Sequence, residues 1–337
     1  MDKNDANLLL SLSDDLIARI VQDLGGRDVR RVCPRLAAVF DAHNRRMVLQ
    51  KDRSSEYPGD SKLLALASSV TDLTVKSSFP RFRLARILEA VAPRLTSLCM
   101  HGCANRVVPP LTPFQALQRL DLRSTHVDVA RLSSIARSLR HLDIGYNTNL
   151  IGKMRMVGEA LGRLTELESL DLESVHMGCE GVEALAGNLP ASLLRLNLSY
   201  NDVDEDAGAD ALARALRGLP KLQELDLANF CAMNRSLAES LAHLTDMRKL
   251  ILSSNHGIGS TAEHLAASFV EMPRLRDLDL EDNSLDAGAI ETLLLEKGSR
   301  LTSLRRLKLG FNYRLEDEFR EKLHAVFPDA AIDIELQ

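Results

Sequence analysis

Acidic side chains recur at one fixed place in this 337-residue chain, between two apolar residues, as in Leu-Asp-Leu. The positions are Asp121, Asp143, Asp171, Asp226 and Asp279, with Asn197 in the same setting. Glu173 and Glu281 follow two residues after their aspartates, and Arg119, Arg123 and Arg195 interrupt the series. On adjacent strands about 4.8 Å apart, Asp121, Asp143 and Asp171 would stand as a column of like charges. Two readings follow: an acidic strip that prefers a basic segment of a partner, or solvated aspartates belonging to a frequent form of the repeat. Exposed ion pairs contribute roughly 0–1 kcal/mol each, so affinity would also need buried anchors. The aromatic candidates are Tyr146 and Phe230, each just past its strand at the rim.

Catalysis finds little support. The chain lacks H-E-x-x-H, G-x-S-x-G, a P-loop and G-x-G-x-x-G. Its nine histidines are scattered, and His101 and His141, both candidates for the exposed face, lie two repeats apart. Carboxylates are abundant, yet on an open wet surface desolvation would not tune their pKa values. Five cysteines (Cys33, Cys99, Cys103, Cys179, Cys231) make an odd set without a C-x-x-C pair, which argues against a disulfide framework and a zinc site. Cys99 and Cys103 read as one surface thiol and one interior thiol. The expectation is a protein without catalytic residues, cofactor or metal.

The elements that must position these groups come from an apolar ladder. Four copies read L-x-x-L-x-L-x-x-N or its Met variant, starting at Leu193, Met247, Leu275 and Leu304; weaker copies start at Val70, Leu95, Leu117, Leu139, Leu167 and Leu222. A unit of this kind cannot bury its own apolar face, so neighbours must stack. The expected fold is an α/β leucine-rich-repeat solenoid, with a curved parallel sheet on the concave side, helices on the convex side and an N-terminal helical segment. Each strand needs about five residues, and the return arc takes the rest. Ladder starts are 22 to 29 residues apart. The two 22-residue units leave room only for brief helical turns, and Pro109, Pro110 and Pro113 oppose a regular helix in the one that starts at Leu95. Longer units predict helices over 207–216, 262–269 and 287–296. The ladder Asn should point inward and bond backbone groups of neighbouring turns. Thr125, Val175 and Phe230 replace it, which predicts irregular turns there.

Residues 1–50 lack the ladder. Leu16, Ile17, Ile20, Val21 and Leu24 follow Ser13-Asp14-Asp15 at helical spacing, and a second helical segment extends from Asp28 to about Gln50. Residues 51–61 read as a polar linker, 62–315 as the repeats, and 316–337 as a closing helix and strand. Charge is uneven: residues 1–100 carry 16 basic and 12 acidic groups, the rest 26 and 35, so +4 against −9. The acidic repeats make nucleic acid an unexpected partner. The apolar run Leu8–Leu10 is too short for a signal sequence, and no stretch reaches the roughly 18 apolar residues of a membrane span. The expected location is intracellular, cytoplasmic or nuclear; delivery into a host cell by a dedicated secretion machine would leave no such mark.

Gly208-Ala209-Asp210-Ala211-Leu212-Ala213, with a near match at Gly181-Val182-Glu183-Ala184-Leu185-Ala186, resembles the turn-to-helix segment of ribonuclease-inhibitor-class repeats. The arrangement is similar to the GALA-type F-box effectors of plant-pathogenic bacteria, although animal and protist repeats carry the motif as well. The order Leu12-Ser13-Asp14-Asp15-Leu16-Ile17, Ile20, Leu24, Val32-Cys33, Arg35-Leu36 resembles an F-box, with Ser13 in place of the usual Pro, Leu36 where Trp is common, and a shorter gap before Val32. That resemblance implies that Leu12, Leu16, Ile17, Ile20, Leu24, Val32 and Cys33 dock or pack against a Skp-type adaptor of a cullin–RING ubiquitin ligase while the repeats hold a substrate protein. The alternative is a scaffold or inhibitor, cytoskeletal scaffolds included, whose N-terminal helices only cap the first turn. GTPase-activating repeat proteins share the repeat class, but no equivalent arginine stands out.

Overall fold

The computed structural model describes residues 38–41, 46–49, 70–76, 81–103, 110–203, 205–230, 233–296, 300–313 and 317–334. The F-box-like positions Leu12, Leu16, Ile17, Ile20, Leu24, Val32 and Cys33 lie outside them, as does the linker 51–61. Two compact units divide the chain, one ending at Thr125 and including Ser134–Leu139, the other made of His126–Ser133 and Arg140 onward.

The first unit carries β1 (Ala38–Asp41), β2 (Arg46–Leu49), β3 (Asp72–Val75), α1 (Arg81–Val91), β4 (Ser97–Cys99) and β5 (Arg119–Asp121). β1 and β2 pair antiparallel, and β2 through β5 run parallel, with Met47, Leu73, Leu98 and Leu120 in register. The sequence suggested a helix up to about Gln50, but residues 38–41 and 46–49 are strands. The reason lies in the period: Met47 and Leu49 are both fully buried with half-buried Val48 between them, a two-residue alternation that suits a strand and not a helix face.

The second unit contains α2 (Val129–Leu132), β6 (His141–Asp143), α3 (Met154–Leu161), β7 (Ser169–Asp171), α4 (Gly178–Ala186), β8 (Arg195–Asn197), α5 (Asp206–Leu216), β9 (Glu224–Asp226), α6 (Arg235–Ser240), β10 (Lys249–Ile251), α7 (Ala262–Val270), β11 (Asp277–Asp279), α8 (Ala287–Ile290), β12 (Arg306–Lys308), α9 (Asp317–Val326) and β13 (Ala331–Asp333). β6 through β13 form a parallel sheet in sequence order. Strands have three residues rather than five, yet backbone pairing continues past them: Leu172 N donates to Asn197 O at 2.9 Å and Ser174 N to Ser199 O at 2.9 Å. The middle leucine of each strand from β6 to β12, unlike the residues on either side of it, turns inward, and Leu142, Leu170, Leu196, Leu225, Leu250, Leu278 and Leu307 are all buried. Each such side chain contributes about 1.5–3 kcal/mol. α8 runs on as a π-helical turn, Glu291–Leu295. The brief helix expected of a short unit is the four-residue α2, whose first turn Asp128 caps by accepting from Ala130 N.

The ladder asparagines tie each turn to the next. Asn201 Nδ2 donates to its own Leu198 O and to Leu172 O of the preceding repeat, both at 2.8 Å, while its Oδ1 accepts from Val175 N at 3.1 Å. Asn255 repeats this with Leu252 O, Leu227 O and Phe230 N. Irregular turns were expected at Thr125, Val175 and Phe230, and they do not occur. The preceding residues Ser124, Ser174 and Asn229 have φ of 56°, 53° and 45°, in line with Tyr146, Tyr200, Ser254, Asp282 and Phe311. The neighbouring asparagine supplies the missing bonds at Val175 and Phe230, and Thr125 Oγ1 donates to Leu122 O at 2.5 Å as an asparagine would.

Candidate functional site

The face of the sheet turned away from the leucines carries the acidic row. Asp143, Asp171, Asn197, Asp226, Ile251, Asp279 and Lys308 are aligned partners along β6 to β12. Within the first unit, the corresponding strand position is held by Thr74, Cys99 and Asp121.

Each acidic member closes its strand in the same way. An Oδ1 accepts the backbone N–H two residues on: Asp121 from Arg123 (3.0 Å), Asp143 from Gly145 (3.0 Å), Asp171 from Glu173 (2.9 Å), Asp226 from Ala228 (3.0 Å) and Asp279 from Glu281 (3.1 Å). Asn197 does the same for Ser199 at 3.0 Å. These residues therefore terminate the short strands through side-chain-to-backbone turns. They are half-buried rather than simply solvated, and one carboxylate oxygen remains for lateral contacts. Asp171 Oδ2 accepts from Asn197 Nδ2 at 3.0 Å, and Asp121 Oδ2 from Cys99 Sγ at 3.2 Å.

Desolvation does act on this surface, contrary to the expectation for an open sheet. Burial raises the Asp226 pKa, and the charges of Glu173 and Asp171 push it the same way, against the Ala228 N–H and Lys249. A raised folded-state value means that the folded protein holds the proton more tightly. Stability contributed by Asp226 is then highest below its unfolded pKa and falls as pH rises through the folded value. Asp226→Asn, which can keep the bond to Ala228 as Asn197 keeps its own, should raise the melting temperature at neutral pH. The gain should vanish in acid, as a pair of thermal melts at the two pH values would show; an equal gain at both would contradict it.

Burial likewise pushes the Cys99 thiol up to about 11, and the adjacent Asp121 carboxylate acts in the same direction. Cys99 should therefore resist alkylation at neutral pH. Peptide-resolved labelling tests this, and rapid modification at neutral pH would refute the assignment. Cys103 lies in the interior as expected, with its thiol toward Val75 O at 3.5 Å.

The basic residues divide the row. Arg306 makes two bonds to Asp277 at 2.6 and 3.0 Å, and Lys308 reaches Asp279 at 3.1 Å and Glu281 at 3.3 Å. The Asp279 contact lifts the Lys308 pKa first among its causes. Arg195 Nη2 lies 3.4 Å from His141 Nδ1. Arg119 is exposed and Arg123 half-exposed in the first unit.

The aromatic expectations separate. Phe230 is 2% exposed and belongs to the core, so it is no anchor at the rim: it occupies the inward ladder position that asparagine fills elsewhere. Tyr146 is 44% exposed, and its hydroxyl donates to Glu173 Oε1 at 2.5 Å. The sequence reading missed Tyr200, Phe311 and Tyr313, which are also exposed. Tyr146, Tyr200 and Phe311 share one position, the left-handed residue immediately before the ladder asparagine. The pairs Tyr-Asn, Tyr-Asn and Phe-Asn were the available signal. Among the described residues, no group of three His, Cys, Asp or Glu is arranged to hold a metal, and no helix is long and apolar enough to cross a membrane.

Residues 94–317 match the family model described as a leucine-rich repeat region. Among curated proteins, the chain is 30% identical over 122 residues to the probable serine/threonine-protein kinase pats1 of Dictyostelium discoideum, covering 36% of this chain and 4% of that protein. It is 26% identical over 200 residues to NACHT, LRR and PYD domains-containing protein 4E of Mus musculus, covering 55% of this chain and 20% of that one. The chain thus spans only a small part of these relatives. Among solved structures, a leucine-rich repeat protein of Leptospira interrogans superimposes with a TM-score of 0.51 at 18% identity over 85% of this chain and 72% of that one. TLR13 in its complex with ssRNA13 gives 0.52 at 17% identity, over 86% and 50%. At these identities the likeness concerns the fold.

Proposed function

Because the chain belongs to the leucine-rich repeat family, whose members act as protein-interaction modules, we propose that it is a binding module, without chemistry of its own, that holds a protein partner on the open face of its sheet. The observation that carries this reading is that face itself, a row of half-buried, hydrogen-bonded polar side chains bordered by exposed Tyr146 and Tyr200. Fixed polar groups beside exposed aromatics suit recognition of a protein surface. The acidic balance of the repeats favours protein over a phosphate backbone.

The F-box-like residue order before the array supports a finer role, the substrate-holding arm of a Skp–cullin ubiquitin ligase inside a cell, whether its own or a host's. Affinity purification from the native cell, scored for Skp and cullin subunits, tests that role; their absence would leave the scaffold or inhibitor reading. A photo-crosslinker at Ser174, the turn position just past β7 that Tyr146 and Tyr200 hold in their repeats, against one at exposed Glu159, on α3, tests the module. Partner capture at Ser174 alone is expected, and capture at neither or at Glu159 alone would remove it.

A further inference from the structure

Resting on the module reading, we propose that the partner segment held here is proline-rich, a polyproline helix laid across the repeats with residues three apart set against the rings of Tyr146 and Tyr200.

The spacing of the two rings carries the inference. Tyr146, Ser174 and Tyr200 stand three residues past the aligned Asp143, Asp171 and Asn197, at one turn of three successive repeats. Cross-strand bonding reaches that far: Tyr146 N donates to Glu173 O at 2.7 Å and Ser174 N to Ser199 O at 2.9 Å. The tyrosines are therefore two strand spacings apart, about 9.6 Å, with the small Ser174 between them. A polyproline helix rises about 3.1 Å per residue with about three residues per turn, so one of its faces repeats every ~9.3 Å. Other backbones match less well. On one face of an extended strand, side chains repeat at about 6.7 Å and then at about 13 Å. An α-helix returns to one face after about seven residues, roughly 10.5 Å, and its carbonyls are already bonded within the helix. Phe311 holds the same turn position, but Ser254 stands two repeats before it, so no second ring completes that pair.

Both tyrosines are held in place before a partner arrives. Each has a left-handed backbone, with φ of 55° at Tyr146 and 58° at Tyr200, and each precedes a buried ladder asparagine, Asn147 or Asn201. The Tyr146 hydroxyl donates to Glu173 Oε1, which fixes that ring. The Tyr200 hydroxyl has no such partner among the described residues, and residue 200 is exposed, so it can donate to a carbonyl of the segment. A polyproline helix makes no internal hydrogen bonds, and its carbonyls are open to such a donor. It is also stiff before binding. A stiff segment on fixed aromatic rings loses little conformational entropy, which is how aromatic-lined grooves hold proline-rich chains in general.

The test titrates the full-length protein with fluorescent decaproline, and with a glycine–serine decamer and an alanine-rich helical peptide as controls. Binding of decaproline alone is expected. Tyr146→Ser and Tyr200→Ser should each weaken it about fivefold with an unchanged melting temperature, since serine already holds this turn at Ser174 and Ser254. Tyr200→Phe, which keeps the ring and loses the donor, should weaken it about threefold. Tyr313→Ser, at an exposed aromatic outside the pair, should change it less than about twofold. Decaproline binding no tighter than either control, or equal loss at Tyr200 and Tyr313, would each overturn the proposal. Should decaproline fail to bind while a Ser174 crosslinker captures a protein, the proline-rich segment falls and the module reading stands. Capture at neither Ser174 nor Glu159 removes the module reading, and the proposal with it.

Discussion

Asn255→Ala should lower the unfolding free energy by about 2–6 kcal/mol. The residue is 3% exposed. Its Nδ2 donates to Leu227 O at 2.8 Å, Leu252 O at 2.9 Å and Ser253 O at 3.2 Å, and its Oδ1 accepts from Phe230 N at 3.1 Å. Truncation takes away the side-chain partners of Leu227 O and Phe230 N, whereas Leu252 O keeps Asn283 Nδ2 and Ser253 O keeps Asn229 N, and each group left without a partner costs about 1–3 kcal/mol. A methyl group cannot replace them, and the space is closed to bulk water. Repeat stability is largely a sum of units and nearest-neighbour interfaces, so the loss falls at the junction that Asn255 bridges. Asn312→Ala provides the comparison. That side chain makes similar bonds, to Leu280 O and Leu309 O, but is half-buried, so water can reach the released groups and the loss should be smaller. Urea unfolding followed by circular dichroism reads both. A loss below about 1 kcal/mol for Asn255→Ala would mean that the ladder does not bind the turns together.

Gly208→Ala should destabilise the protein by about 1–3 kcal/mol, although alanine is the better helix former by about 1 kcal/mol. Gly208 lies in the first turn of α5, buried, where a Cβ would come within 2.3 Å of Val203 Cγ1 and 3.2 Å of Cys179 Sγ on α4. Val203 is itself fully buried and branched at Cβ, so it has little room to rotate away. The same closeness recurs at Gly181, where a Cβ would meet Met177 Cβ at 2.6 Å. Val203→Ala removes the obstacle. The double substitution Gly208→Ala with Val203→Ala should therefore be more stable than the two single changes predict by addition, a coupling of about 1 kcal/mol or more in a double-mutant cycle. Strict additivity would show that the glycine is there for another reason. The cavity left by Val203→Ala alone sets the baseline for the cycle.

These two positions mark how far the sequence could be read. The ladder spacing gave the parallel strands, the inward leucines, the bonding asparagines and the helix of the G-A-x-A-L-A segment, because each depends on local period and residue size. Strands at 38–41 and 46–49 were hidden, since a short alternating run among arginines also suits a helix. The turns at Val175 and Phe230 looked irregular because the asparagine that stabilises them belongs to the following repeat, 25 or 26 residues away. Phe230 could pass for a rim aromatic only while its turn was thought to be broken.

What the sequence determined by itself is the repeating unit: which side chains turn inward, where the chain turns, and that acids recur at one place on the outer face. Periodicity carries that information, since a residue's side is fixed by its place in the unit. Only the tertiary structure decided what the outer residues do once units stand beside one another. It made strand-closing acceptors of the aspartates, paired Asp277 and Asp279 with Arg306 and Lys308, buried Asp226 far enough to raise its pKa, and set Tyr146 and Tyr200 at matching turns. Charge, desolvation and lateral hydrogen bonds act between neighbouring strands about 4.8 Å apart, residues that are more than 20 positions distant along the chain.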